Sequence, residues 1–168
     1  MVSVFDVAKY ILEQYHERKK NYFLLKPNET VGMSLWKLNH LCYYAQAWHF
    51  VWTGERLIKE EFRAWRNGAV CVELQNYLAG KSTIHAADIT SAINSLTDDE
   101  KDSVDVVLEN CSDAAPYELS AQIKFEAPYR NARGDTPADV NSDVIIKLAD
   151  MGEYYSALIE DDEEGDND

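Results

Sequence analysis

The stretch SLWKLNHLCYYAQAWHFVWTG, Ser34 to Gly54, decides the fold. Leu35, Leu38, Leu41, Cys42, Ala45, Trp48 or His49, and Trp52 recur at spacings of three and four, which places them on one face of an α-helix. The opposite face offers water only Lys37, Asn39, Gln46 and Thr53, a narrow stripe among Tyr43, Tyr44, Trp48 and Trp52. Such a helix is expected to be surrounded by other elements. Ser34 is placed to accept a hydrogen bond from a free first-turn amide, and Gly54 can take the left-handed conformation that ends a helix. The fold class that follows is mainly α: a single compact helical domain around a buried central helix, with at most a few short strands.

Length and composition agree. A chain of 168 residues, 46% apolar, fits one domain and can bury roughly two-thirds of its surface without a metal or disulfide. The formal charge of −14 repels nucleic-acid phosphates and favours encounter with a basic protein. Direct nucleic-acid binding is therefore not expected. Cys42, Cys71 and Cys111 are odd in number and lie in apolar or helical patterns, which suits structural thiols in a reducing compartment. The first twenty residues hold Asp6, Glu13 and Glu17 in a helical period, unlike a signal peptide, and no run approaches the ~18 apolar residues of a membrane span. A cytoplasmic protein that does not engage a membrane is expected.

Outward from the central helix, Ser3 and Asp6 form a capping pair ahead of an apolar face made by Val4, Val7, Ala8, Ile11, Leu12 and Tyr15. On the other side, Glu55 to Asn67 interleaves Leu57, Ile58, Phe62 and Trp65 with Arg56, Lys59, Arg63 and Arg66, a basic and aromatic cluster in an acidic chain. It is either a solvated surface neutralised by Glu55, Glu60 and Glu61, or a contact site with Trp65 as anchor. Gly68 is expected to set a tight turn or to admit another backbone at close range. Val70, Leu74 and Leu78 predict a third helix stopped by Gly80, and Ser82 to Ile84 an extended piece. Thr97 and Glu100 predict a capping box opening a helix with Val104, Val107, Leu108 and Cys111 inward and Asp98, Asp99, Asp102, Asp105 and Glu109 outward. Ser112 or Asp113 would cap a helix through Tyr117, Leu119, Ile123 and Phe125 that Pro128 ends. Tyr129 to Thr136 reads as a polar turn, and Asn141 or Ser142 opens the last helix. From Glu160 to Asp168 seven of nine residues are acidic, so residues 160–168 are expected to be a disordered tail. Without it the charge is still −7.

The chain carries no phosphate-binding glycine loop, Cys-x-x-Cys pair or His-Glu-x-x-His helix. His40, Cys42 and His49 are the one tight group of metal-ligand types. On an ideal helix residues 40 and 42 point about 160° apart, and 40 and 49 about 180° apart, which is a poor geometry for a shared ion. No metal, no cofactor and no catalytic residue are expected, and the chain is not read as an enzyme.

The segment LNHLCYYAQAWHFVWTGERLIKEEFRAWRNGAVCVEL, with FDVAKYILE upstream, resembles the Panacea, or SocA-like, antitoxin domain, a phage-associated family. The matching positions are Leu38, Leu41, Tyr43, Tyr44, Ala45, Gln46, Trp48, Gly54, Leu57, Ala64, Trp65, Gly68 and Val70. Downstream, Ile123-Lys124, Glu126 and Pro128-Tyr129 stand where the family usually carries Thr-His, Glu and Pro-Trp; Ala69 replaces the usual proline after Gly68. The resemblance implies a Panacea-like helical domain over residues 1–159 that neutralises a cognate protein toxin by direct binding; some relatives instead present the toxin to a protease. Leu38, Leu41, Tyr43, Tyr44, Gln46 and Trp48 are expected to form the core motif. Arg63, Trp65, Arg66, Gly68, Tyr129, Arg130 and Arg133 are the candidate partner-binding residues. The charge leaves one rival reading, a phage-encoded inhibitor that imitates DNA and occupies a nucleic-acid-handling defence enzyme of the host.

Overall fold

In the computed structural model, which describes residues 1–165, the central helix is α2, Leu35–Thr53. The Ser34 side chain accepts from the Lys37 amide at 3.2 Å, and Gly54 closes the helix at φ 72° with its N–H on the Phe50 carbonyl. Thirteen of its nineteen residues are buried. They include Lys37, Asn39 and Gln46, so the stripe expected to be wet is turned inward. Burial is possible because neighbouring elements supply partners: Lys37 Nζ donates to the Ser112 carbonyl at 2.7 Å, Asn39 accepts from the Cys71 amide at 3.0 Å, and Gln46 accepts from the Ile58 amide at 2.6 Å.

Around α2 stand α1 (Val4–Lys19), a hairpin of β1 (Phe62–Trp65) and β2 (Gly68–Cys71), α3 (Val72–Tyr77), α4 (Asp98–Cys111), α5 (Pro116–Phe125), α6 (Ala127–Arg133) and α7 (Leu148–Gly165). The capping boxes expected at Ser3/Asp6 and Thr97/Glu100 open α1 and α4. Helices α1, α4, α5 and α7 and strand β2 all pack on α2. The fold is therefore mainly α, with one two-stranded sheet among the described residues.

Four elements differ from the reading of the sequence. Val70 belongs to β2 rather than to the third helix, because Gly68 turns the chain back and pairs with Trp65 in an antiparallel register. Pro128 does not end a helix but lies in the first turn of α6, where its missing N–H has no call on it; Tyr129 to Arg133 are helical. The preceding break falls at Glu126, whose backbone is extended. Tyr117 and Phe125 of α5 face outward, and Ala115 precedes the helix in place of a side-chain cap. Residues 144–146 are extended along the free edge of β1, with Ala64 donating to Val144 and Ile146 to Phe62, so α7 starts only at Leu148. Residues 160–165 of the expected tail continue α7, as acidic residues can once the helix is anchored by Met151 and Tyr155; residues 166–168 lie outside the described residues.

Arg133 locks this corner. Its buried guanidinium donates to the carbonyls of Ala64 (3.0 Å), Val140 (2.6 Å), Thr136 and Pro137, holding β1, α6 and the following loop together. Arg133→Met leaves several carbonyls unpaired and is expected to lower the urea unfolding free energy by about 2–4 kcal/mol, while Arg130→Met, at an exposed site, changes it by less than about 0.5 kcal/mol. Equal effects would remove Arg133 from this role.

Candidate functional site

Two constellations stand out, one internal and one at the surface. Internally, Glu126 is 4% exposed and forms no ion pair among the described residues. The Tyr44 hydroxyl donates to its carboxyl group at 3.1 Å, and the Tyr155 hydroxyl donates to its other oxygen. The Tyr43 hydroxyl lies 3.4 Å from that of Tyr155. Burial holds the Glu126 carboxyl above the usual carboxylate range, against the pull of the hydroxyl donors, and burial also raises all three tyrosines. Residues from α2, the α5–α6 junction and α7 thus meet on one carboxyl group.

At the surface, the hairpin turn Arg66-Asn67 leans on α5 and α6. Ser120 donates to the Asn67 carbonyl, and Tyr129 donates to the Trp65 carbonyl at 2.7 Å. Gly68 has φ 130°, and a Cβ there would lie 2.4 Å from His40 Nε2. The expected close approach is therefore made by an imidazole rather than by a backbone. Burial pushes His40 down to about 4, so it is neutral, and although the Asn67 backbone lies nearby, neither ring nitrogen has a hydrogen-bond partner of ordinary geometry. Trp65 Nε1 is buried and unpaired as well. Of the four buried side-chain polar atoms without a partner among the described residues, three belong to these two side chains at the hairpin, the fourth being Gln46 Nε2. Each such atom costs about 1–3 kcal/mol, which marks the place as built for something besides stability.

His40 forms the floor of a cavity of about 280 Å³ walled by Trp36, Asn67, Pro116, Tyr117 and Ser120. In its wall Tyr117 is 74% exposed, and about two turns further along α5 Phe125 is 76% exposed. The Arg130 guanidinium lies over the Phe125 ring at 5.8 Å, and Arg66 and Lys124 are exposed.

The candidate binding residues are thus brought together, but not all at the surface. Arg66 and Arg130 are exposed; Arg63 and Trp65 are half-buried, with Arg63 tied to the Asp143 carbonyl. Gly68, Tyr129 and Arg133 are buried and hold the hairpin to α6. Of the core-motif residues, Leu38, Leu41, Tyr43, Tyr44 and Gln46 are buried and Trp48 lies at the rim.

A family model described as antitoxin SocA-like, Panacea domain, matches residues 38–128, more than half of the chain. The chain belongs to this family. No curated protein and no solved structure matches it. The matched Panacea segment begins in α2 and ends at the first turn of α6, so it contains Tyr44, His40, Gly68 and Glu126 but not Tyr155, which α7 supplies from outside. No helix of the described residues is long and apolar enough to cross a membrane, and none of their His, Cys, Asp and Glu side chains form a group of three that could hold a metal ion.

Glu126, Tyr155, His40, Tyr117 and Phe125 were not singled out as site residues by sequence reasoning. Two of them had a signal: Glu126 as a carboxylate matching the family pattern, and His40 as a member of the group of metal-ligand types set aside on helix geometry. Because the folded state holds the Glu126 proton at pH values where the unfolded chain has released it, its contribution to stability falls as pH rises from the ordinary 4.5 through its raised folded value. Glu126→Gln removes that titration. The unfolding free energy of the variant relative to the parent, measured from about pH 4 to about pH 8, is expected to rise across this window; a flat difference would show an unperturbed carboxyl.

Proposed function

We propose that this Panacea-family chain is an antitoxin that neutralises a cognate protein toxin by direct binding, through the face around the hairpin-turn cavity. The observation that carries this reading is the coincidence, at one cavity, of the unpaired buried nitrogens of His40 in its floor with the bare ring of Tyr117 in its wall. Interfaces draw most of their energy from a few such aromatic and arginine contacts around a desolvated centre. Tyr117 and Phe125 lie about 80° apart around α5, so both can meet one partner surface. Arg66, Lys124 and Arg130 make this face locally basic on a chain of charge −14, which selects a toxin surface that presents an aromatic or neutral hydrogen-bonding side chain with carboxylates around it. Masking by a rigid face needs no catalysis by this chain.

The test is affinity capture of the tagged chain in its own host at low and at physiological salt, followed by expression of the retained protein. A small protein is expected at both salts that arrests growth alone and is silenced by co-expression with this chain. Arg66→Glu combined with Phe125→Asp, both at exposed positions, should abolish rescue without lowering the melting temperature. Recovery only of a nucleic-acid-handling enzyme, and only at low salt, would instead support charge mimicry.

A further inference from the structure

A second surface, away from the hairpin, has its own chemistry. Tyr44, Trp48 and Trp52 form a ridge at steps of four along α2, and α4 runs beside it in the opposite direction. Between them, Val106 and Val107 help to enclose a cavity of about 310 Å³. A second cavity of about 240 Å³ shares Trp52 and Val106 with the first and is bounded by Asp99 and Asp102. The two adjoin at Trp52 and Val106 as one groove, mainly apolar, with Asn110 and Gln122 on its wall and acidic at one end.

Its apolar part is bare. The Trp48 and Trp52 rings stack with centroids 5.5 Å apart at 24°. Trp48 packs inward against Tyr155, but Trp52 is 43% exposed and Val106 39%. The carboxylates at the end are uncompensated. Lys101 pairs with Asp98, while neither Asp99 nor Asp102 forms an ion pair among the described residues. Asp99 lies in the first turn of α4, where a carboxylate stabilises the helix end. Asp102 lies beyond that turn, and the helix end does not account for the tryptophan shelf beside it.

We propose that this groove binds a short cationic amphipathic segment of a partner protein. An aliphatic or aromatic side chain of that segment seats between Trp48 and Val106, and a lysine or arginine lies over the Trp52 ring toward Asp99 and Asp102. Charge complementarity selects this occupant: an aromatic face and two free carboxylates both attract a cation and both repel an acidic segment. From Tyr44 to Trp52 the ridge is about 12 Å long, which matches about two turns of helix. The inference stands independently of the hairpin-face reading.

The probes are a helical peptide of leucine and lysine and its counterpart with glutamate in place of lysine at the same leucine spacing. Binding is read by fluorescence anisotropy and by fluorine NMR of protein labelled with 5-fluorotryptophan. Saturable binding of the lysine peptide alone is expected, with shifts at Trp52 and Trp48 and none at Trp65. Trp52→Ala, at an exposed position, should weaken it about tenfold or more. Asp99→Asn with Asp102→Asn should weaken it several-fold, whereas Asp135→Asn with Asp139→Asn, which removes the same charge from the loop after α6, should not. Phe125→Asp leaves the binding unchanged and so separates this groove from the hairpin face. Equal binding of both peptides, equal loss from the two charge-removing pairs, or an unmoved Trp52 resonance would overturn the inference.

Discussion

A helix buried over most of its surface leaves little water for its polar side chains, so the buried ones on α2 have to find partners on other elements. That constraint organises the molecule. Lys37 reaches the end of α4 at Ser112, Asn39 reaches β2 and Gln75 of α3, Gln46 reaches the strand-like segment at Ile58, His49 contacts Ser103, and Tyr44 reaches Glu126. Apolar packing alone would let the surrounding helices slide along α2; these directional bonds set where each one stops. Glu126 is the most demanding of the partners, since a buried carboxyl without an ion pair depends on hydroxyl donors from α2 and α7 together.

His40 is the polar side chain of α2 that this scheme leaves out. It has no hydrogen-bond partner of ordinary geometry, and the space it occupies exists only because residue 68 is a glycine. The exception falls at the hairpin turn, beside which α5 also leaves the Tyr117 ring in water. Residues of the family signature thus divide by role. Tyr43, Tyr44, Gln46 and Glu126 build the scaffold, while the residues around Gly68 and on the outer side of α5 shape a surface on it.

The parts legible in the sequence were those that depend on local signals. The caps of α1, α2 and α4 and the apolar stripe of α2 from Leu35 to Ala45 involve residues within a turn of their neighbours and stand where spacing puts them, whereas Trp52, expected on the same buried face, is 43% exposed. The parts that were not legible depend on long-range partners. Lys37, Asn39 and Gln46 look like a solvated stripe until their partners, distant in sequence, are in place. Arg133 resembles a surface arginine, yet its target carbonyls belong to β1 and a loop. Pro128 reads as a stop, yet the extended backbone at Glu126 breaks the helix first and leaves Pro128 in the first turn of the next one. Arg66, in the basic cluster, and Arg130, in the polar Tyr129 to Arg133 segment, are exposed, whereas the exposure of Tyr117 and Phe125 follows from which side of α5 meets α2.

The central claim is that the recognition surface lies at the hairpin turn and the outer side of α5 and α6, apart from the buried signature that supports it. Hydrogen exchange measured on the chain alone and in its toxin complex addresses this directly. Slowed exchange is expected in the peptides covering Trp65 to Gly68 and Tyr117 to Arg130, with α1 unchanged. Protection confined to α1 or α7, with the hairpin turn exchanging as freely as before, would contradict it.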